Sequence, residues 1–492
     1  MRGFPSAPHR FVALAVLASA GCGQADEPVS PAPPCQQAVE RGSPLGVRCG
    51  HLIDEQGRVV LLRGVNARVE GLFDVTFDDG RVGLEEIPPF AASDAVEMRS
   101  FGFDSLRLPI NWSGLEPSEH GGIDESYLAA VKRVIDDAAA AGHLVIVDFH
   151  QDAYSKEIGE DGAPLWAIDP PPVELLEGPL ENLEERRTSA QVLAAFETFF
   201  GASDRGAGLR QRFVAMAGHV ARSLADHPAV LGFEIYNEPV TDDAGVARLN
   251  EAAYPALREA APDKLYLFEP PATRNFTDQA TLAPEPLGPL TGYAPHVYTF
   301  AFSDDPSGAL RDKEQLRRSN ENARLEADSW GAPLVITEWG FSPYEQAFES
   351  YLRWQSELQQ EIQASTFYWL WKERSQGSWG CFDFDEVGRS WTAREAVRSA
   401  LAVIRPARIA GWPEAFSYDR DQGTFRLTFW SLPEVMAPHW IAVAPALVGE
   451  RRATCDGRSI PWTEVDEGVG ELACGDHDGA LHELRVELVP AR

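Results

Sequence analysis

The stretch Val230-Leu231-Gly232-Phe233-Glu234-Ile235-Tyr236-Asn237-Glu238-Pro239 decides the fold. A short apolar run of β-forming residues ends in an amide, an acid and a proline, and the proline stops the strand there. The same order returns at Leu334-Val335-Ile336-Thr337-Glu338-Trp339-Gly340, where a second apolar run ends on a glutamate. Two carboxyls facing each other across a sugar are what glycosidic bond cleavage needs, one to protonate the leaving oxygen and one to attack the anomeric carbon. Strand ends at one face of a (β/α)8 barrel supply that geometry. With 75 acidic residues in the chain, a lone Glu after a strand carries no meaning. Asn237, placed to bond a sugar 2-hydroxyl, and Pro239 set Glu238 apart from ordinary surface charge.

Outward from these motifs, apolar runs alternate with amphipathic stretches at helical spacing, the βαβα pattern of a parallel sheet. The strand candidates are Val59 to Asn66, Ser105 to Ile110, Leu144 to Phe149, Val230 to Tyr236, Leu265 to Phe268, Tyr293 to Tyr298, Leu334 to Thr337 and Thr366 to Trp371. Eight is the number that closes this barrel. Helices are expected over Glu125 to Ala141, Arg210 to Ala225, Lys313 to Ser329 and Glu345 to Gln363. A long segment, Asp152 to Arg205, interrupts the rhythm after the third strand and reads as a surface excursion that walls the site. Beyond the helix near Ala393 to Ile404, short alternating runs at Thr424 to Trp430, Trp440 to Ala444 and Leu481 to Val489 indicate an antiparallel β-sandwich. The expected organisation is therefore a signal over 1–21, a tether over 22–50, an α/β barrel of the (β/α)8 TIM type over 51–404 and a C-terminal antiparallel β-sandwich over 405–492.

A net charge of −32 repels polyphosphates, so nucleic acid is excluded as a partner, whereas a neutral sugar is indifferent to it. Arg2 and Arg10 precede the apolar stretch Phe11 to Ala20, which is too short to span a bilayer and reads as an export signal. Two cleavages stay open. Ala18-Ser19-Ala20 fits a small-x-small signal peptidase site, while Ser19-Ala20-Gly21-Cys22 resembles a bacterial lipobox with Ser19 where Leu is usual. The second is preferred, because Gly-Cys directly follows the apolar stretch and the Pro-rich Gln24 to Pro34 looks like a tether; Cys22 then carries the lipid and holds the protein at a membrane surface. The remaining cysteines suggest the local disulfides Cys35/Cys49 and Cys455/Cys474, with Cys381 a buried thiol.

Seven stretches in order carry a resemblance: Arg63-Gly64-Val65-Asn66, Arg107-Leu108-Pro109, Asp148-Phe149-His150-Gln151-Asp152, the Asn237-Glu238-Pro239 motif, His296-Val297-Tyr298, Thr337-Glu338-Trp339, and Trp369-Leu370-Trp371-Lys372-Glu373. Over roughly 61–373 the chain resembles glycoside hydrolase family 5, the retaining clan, and most its endoglycoceramidase-related branch. The resemblance implies that Glu238 is the acid/base and Glu338 the nucleophile. Like-charge repulsion from Glu338 is expected to keep Glu238 protonated at rest and to vanish once Glu338 is glycosylated. Arg107 and Tyr298 resemble the residues that hold the nucleophile ionised, although Arg107 also reads as a plain barrel-end ion pair. His150 and Asp152, one residue apart, are expected to share a face and bond sugar hydroxyls, with His296 nearby. These side chains also allow a metal reading, which the absence of further ligand spacing disfavours. The reaction needs no metal and no other cofactor.

Trp369 resembles the stacking platform for the sugar, with Trp371 expected in the rim; the alternative is that both simply pack the barrel. Glycolipid-cleaving relatives often present a lysine after the first motif, and this chain has Arg68 in that neighbourhood, a planar fork in place of an ammonium point. Apolar side chains Phe73, Leu165, Trp166, Phe341 and Phe382 are the candidates for a lipid side of the cleft. The expectation is an exported retaining β-glycosidase, membrane-anchored or otherwise secreted or periplasmic, acting on a glycan joined to a lipid aglycone. The competing readings are a cellulase-type polysaccharide hydrolase and a catalytically silent surface carbohydrate-binding lipoprotein.

Overall fold

A computed structural model describes residues 37–280, 287–302, 306–374 and 379–489. Cys22, the export signal and Cys35 lie outside the described residues. Eight parallel strands form one sheet in the order Val335–Trp339, Ser365–Tyr368, Arg63–Asn66, Ser105–Ile110, Leu144–Phe149, Val230–Glu234, Leu265–Phe268, Thr291–Tyr293. Parallel bridges from Tyr293 to Leu334 and from His296 to Glu338 bring its two edges together, so the eight-unit α/β barrel forms. Nearly every residue of these strands is buried, which is why they read as continuous apolar runs. Helices Glu125–Ala140, Asp204–Leu224, Lys313–Trp330 and Phe348–Glu361 stand where helical spacing predicts them. The side chains of Asp124, Ser203 and Asp312 cap the first three.

The sixth strand is shorter than Tyr293 to Tyr298. Pro295 has no N–H to donate, so regular pairing ends at Tyr293 and only the single bridge at His296 follows. The long excursion after the third strand is not structureless: it holds helices Leu183–Arg187 and Ala190–Phe200.

The expected first strand, Val59 to Asn66, divides between two sheets. Val59–Val60 pairs with Ile404–Ile409, while Arg63–Asn66 enters the barrel. Val59 and Leu61 face the C-terminal core and Val60 and Leu62 the barrel-end core, so an unbroken apolar run hides the change of sheet. Together with Gly46–Arg48 and His51–Ile53, Val59–Val60 completes a seven-stranded sheet otherwise built from the C-terminal region. The residues from 51 to 60 thus belong structurally with the sandwich, not with the barrel. A five-stranded antiparallel sheet, Trp412–Asp419, Thr424–Trp430, Leu481–Val489, Glu450–Cys455 and Arg458–Ile460, supplies Phe425, Leu427, Leu484 and Val486 to the core shared with Ile404 and Ile441. The Cys455–Cys474 disulfide is present, and Cys381 is a buried free thiol.

Candidate active site

All the predicted barrel-end residues converge at the carboxyl ends of the strands. Glu338 sits on the seventh strand with its side chain only 5 % exposed, and Glu238, just past the fourth, is 20 % exposed. Glu338 Oε1 accepts from Arg107 Nη1 at 2.5 Å and its Oε2 from the Tyr298 hydroxyl at 2.8 Å. Glu238 Oε1 accepts from Asn275 Nδ2 at 2.6 Å and is 2.8 Å from His296 Nδ1. That nitrogen is also 3.5 Å from Glu338 Oε2, and one oxygen of each glutamate and a nitrogen of His296 all lie within 4.8 Å of one another. This is the close spacing of a nucleophile facing its acid/base; an intervening water needs carboxyls roughly 6.5 Å or more apart.

Arg107 is the hub. Fully buried, it gives Nε and Nη2 to Glu234 at 2.9 and 2.8 Å and Nη1 to both Asn66 Oδ1 and Glu338, while Nη2 also reaches Asn237 Oδ1 at 2.8 Å and Asp148 at 3.1 Å. It thus pairs with the barrel-end carboxylates and with Glu338 at once. Asn237 is locked between Arg107 and the Gln151 carbonyl, to which its Nδ2 donates at 2.9 Å.

His150 and Asp152 do share a face, but they bond each other at 3.3 Å, and His150 Nδ1 is 2.5 Å from Asp148. Both His150 nitrogens are thus engaged by carboxylates. Burial pulls the imidazole down in pKa, and Asp148 and Asp152 more than reverse it, so His150 is a held cation. Asp152 remains the one of the pair at the surface of the cleft, where Arg187 reaches it at 3.2 Å from the long loop. Trp369 lies parallel to His150, ring centroids 5.6 Å apart and planes 10° apart, and is half-buried. Gly340 makes room for it: a Cβ there would sit 2.7 Å from the Trp369 carbonyl oxygen. Trp371 packs in the rim and donates to Asp94 at 2.9 Å.

Arg68 is not available to a sugar, since it is buried between Glu85 at 2.6 Å and Glu373 at 2.8 Å. Most of the proposed lipid-side residues are also elsewhere. Phe341 stacks on Tyr351, Phe382 meets Trp371 edge-on, and Phe73 packs beneath Arg68 and beside His150, all in the interior. Leu165 is exposed on the long loop, and neighbouring Trp166 is held by Trp112, Arg212 and the Glu116 carbonyl. Instead, the apolar surface of the site is a strip that sequence reasoning missed. Tyr298 leads to Phe302 at 5.1 Å, Phe302 stacks on Trp379 at 5.7 Å and meets Phe276 at 6.2 Å; Phe302 is 44 % and Phe276 72 % exposed.

The proton is not where the simple pair argument puts it. Burial pushes Glu238 up in pKa, but the hydrogen bond and charge of His296 outweigh it and hold Glu238 below the usual carboxylate range. Burial likewise pushes Glu338 up, and His296 and Arg107 do not fully offset it. Burial lowers His296, yet Glu338, Glu234 and Glu238 together lift it to about 9. In the unliganded enzyme the proton therefore sits on His296, one 2.8 Å contact from Glu238. The sign is that of a raised imidazole: the proton is fully held below the ordinary value of 6.5 and is lost as pH rises through about 9.

Three partners escaped the sequence reading. Glu234 and Glu269 each carried a signal, an acid in or directly after a strand buried on both faces. Asn275 carried none. The carboxylates of Glu234 and Glu269 with His296 have the proximity of a metal-ligand group. Arg107 lies 2.8 Å from Glu234 and 3.7 Å from Glu269, however, and a guanidinium there opposes a second cation.

Among known proteins, the family model described as Cellulase (glycosyl hydrolase family 5) matches residues 87–375. Endoglycoceramidase I of Rhodococcus hoagii (strain 103S) is 27 % identical over 415 residues, covering 77 % of this chain and 75 % of its own. The solved endo-glycoceramidase II from Rhodococcus sp., in a cellobiose-like imidazole complex, superposes with a TM-score of 0.74 at 23 % identity, covering 90 % of this chain and 100 % of its own. Structures of that protein as a lactosyl-enzyme intermediate and in complex with ganglioside GM3 both superpose at 0.73. An endogalactoceramidase superposes at 0.72 with 25 % identity, covering 91 % of this chain and 100 % of its own.

Proposed function

This chain belongs to the cellulase family, glycosyl hydrolase family 5, and is a glycoside hydrolase; from that premise we propose that it releases a β-linked glycan from a lipid aglycone with retention. Glu338 attacks the anomeric carbon, and the bond to the leaving oxygen breaks as that oxygen takes the proton that His296 passes to Glu238 across their 2.8 Å contact, which leaves Glu238 ionised. The aglycone leaves and a glycosyl ester remains on Glu338. Glu238 then removes a proton from water, the water oxygen attacks the anomeric carbon, and the ester bond breaks to restore Glu338. Arg107 and Tyr298 take up the carboxylate charge as it re-forms. Trp369, Asp152 and Asn237 hold the sugar.

The observation that carries the lipid side is the aromatic strip from Tyr298 through Trp379 and Phe302 to the exposed Phe276. Two exposed phenyl rings leading away from Tyr298 make a continuous apolar surface, which an alkyl chain buries along its length. The relatives named for ceramide-linked substrates support the same reading. Purified protein offered surfactant-dispersed glycosphingolipid, steryl glucoside and carboxymethyl-cellulose should release ceramide and intact glycan from the first. Phe276→Ser with Phe302→Ser should raise KM for glycolipid and leave a soluble aryl glycoside unaffected. Reducing ends from carboxymethyl-cellulose alone would transfer the reading to the cellulase type, and no product from any substrate to the silent lipoprotein.

An enzyme for lipid-linked glycans benefits from standing at a membrane, and lipidation of Cys22 would put it there on its Pro-rich tether. No helix among the described residues is long and apolar enough to cross a membrane. Wild type should incorporate palmitate and Cys22→Ser should not. A mature chain starting at Gly21, recovered unlabelled, would replace the anchor with simple secretion.

A further inference from the structure

Glu269 stands directly after the fifth barrel strand, Leu265–Phe268, with Pro270 and Pro271 behind it. Its Oε2 accepts the backbone N–H of Glu238 at 3.0 Å. Glu238 has φ of +43°, a left-handed conformation uncommon for a residue with a side chain, and this bond pins the main chain there. The same oxygen is 3.5 Å from His296 Nε2, the imidazole nitrogen turned away from Glu238; that nitrogen makes no hydrogen bond among the described residues and also lies 3.9 Å from Glu234 Oε1. One atom of Glu269 thus faces both partners of the proton exchange, the main chain of Glu238 and the far side of His296.

The other oxygen, Oε1, is buried and has no hydrogen-bond partner among the described residues. It lies 3.7 Å from Arg107, the most distant of four carboxylates around that single guanidinium; Glu338 is at 2.5, Glu234 at 2.8 and Asp148 at 3.1 Å. Three nearer anions already exceed its charge, so ionisation of Glu269 would leave Oε1 a buried, negatively charged oxygen without a donor. A proton on Oε1 removes that charge and gives the oxygen a donor for Glu234, whose Oε1 lies on the same Arg107 nitrogen and which has an oxygen within 4.8 Å of one of Glu269.

We propose that Glu269 is the positioning residue of the acid/base: a neutral carboxylic acid that turns its proton toward Glu234 and keeps Oε2 for the Glu238 N–H and His296. This rests on the reading of Glu238 as acid/base. The direction of titration agrees, since burial, Glu234 and Glu238 all push Glu269 well above the usual carboxylate range against the pull of Arg107. If Glu269 were ionised, it would add to the anions that hold the proton on His296. Neutral, it orients the imidazole without trapping that proton.

Glutamine reproduces a protonated glutamate, its carbonyl replacing Oε2 and its amide N–H replacing the Oε1 hydroxyl; leucine reproduces neither. Glu269→Gln should stay within about threefold of wild type on aryl β-glycosides and keep the alkaline limb of kcat/KM, set by His296 at about 9, in place. Glu269→Leu should lose roughly 10²-fold on poor leaving groups and much less on activated ones, because proton donation is the step affected. Equal losses in Gln and Leu, an alkaline limb moved to lower pH in Gln, or wild-type behaviour in Leu would each overturn the proposal. Should Glu269→Leu fail to fold, infrared spectroscopy decides: wild type at pH 7 should show a protonated-carboxyl C=O band that Glu269→Gln lacks, and absence of that band overturns it. The band is read without substrate, so it stands or fails separately from the catalytic roles, which azide rescue of Glu238→Gln tests.

Discussion

Glu338→Gln should abolish turnover, with a loss in kcat on the order of 10⁶-fold, the scale seen when a covalent nucleophile is removed. Activated 2-deoxy-2-fluoro glycosides should label the wild type and leave this variant unlabelled, because the amide cannot form the glycosyl ester. Glu238→Gln should fail differently. It keeps the nucleophile, so it should still be trapped, should lose far more on poor leaving groups than on activated aryl ones, and should recover its second step when azide replaces the water that needs a base. The first sugar released by wild type should be the β-anomer, since the two carboxyls are close enough for double displacement. Labelling that persists in Glu338→Gln would remove it from the nucleophile's role.

Arg107→Met should cost about 3–5 kcal/mol of unfolding free energy, the usual penalty for breaking a buried ion pair from one side. The arginine is fully buried and its guanidinium is the near partner of Glu234, Asp148 and Glu338. Methionine fills the volume and leaves those carboxylates facing one another in a low dielectric. Arg107→Lys should keep part of the stability and lose most of the activity, because one ammonium cannot hold Glu234 bidentately and still reach Glu338 and Asn66. Denaturant titration separates the two effects. An unfolding midpoint for Arg107→Met equal to that of wild type would mean the hub carries no stability.

The strand-helix alternation, the two acids at strand ends and the Cys455–Cys474 bond could be read from the chain, because each is local information: apolar period, turn chemistry, spacing. Glu338, Tyr298 and Asn237 could be placed together because each sits near or beyond a strand end, and a closed barrel brings its strand ends to one face; Arg107, inside the strand Ser105–Ile110, reaches them with its long side chain. Local pattern also had limits. The run from Val59 to Asn66 is apolar throughout, and nothing in it marks where the chain leaves the sandwich for the barrel.

What the chain by itself determined was therefore which residues meet. How they pair, and which of them holds the proton, only the tertiary structure decided. The bridge from His296 to Glu338 sets an imidazole between two glutamates, and so reverses the expectation that Glu238 is protonated at rest. Asn275, Arg187 and Phe276 arrive from helices of four or five residues, too short to show a period, and Glu269 gains its place only because the fifth strand lies beside the fourth. The physical reason is range: strand and helix preferences act over a few residues, whereas hydrogen bonds and charge coupling in the site act between side chains far apart in sequence, at distances that exist only once the barrel has closed.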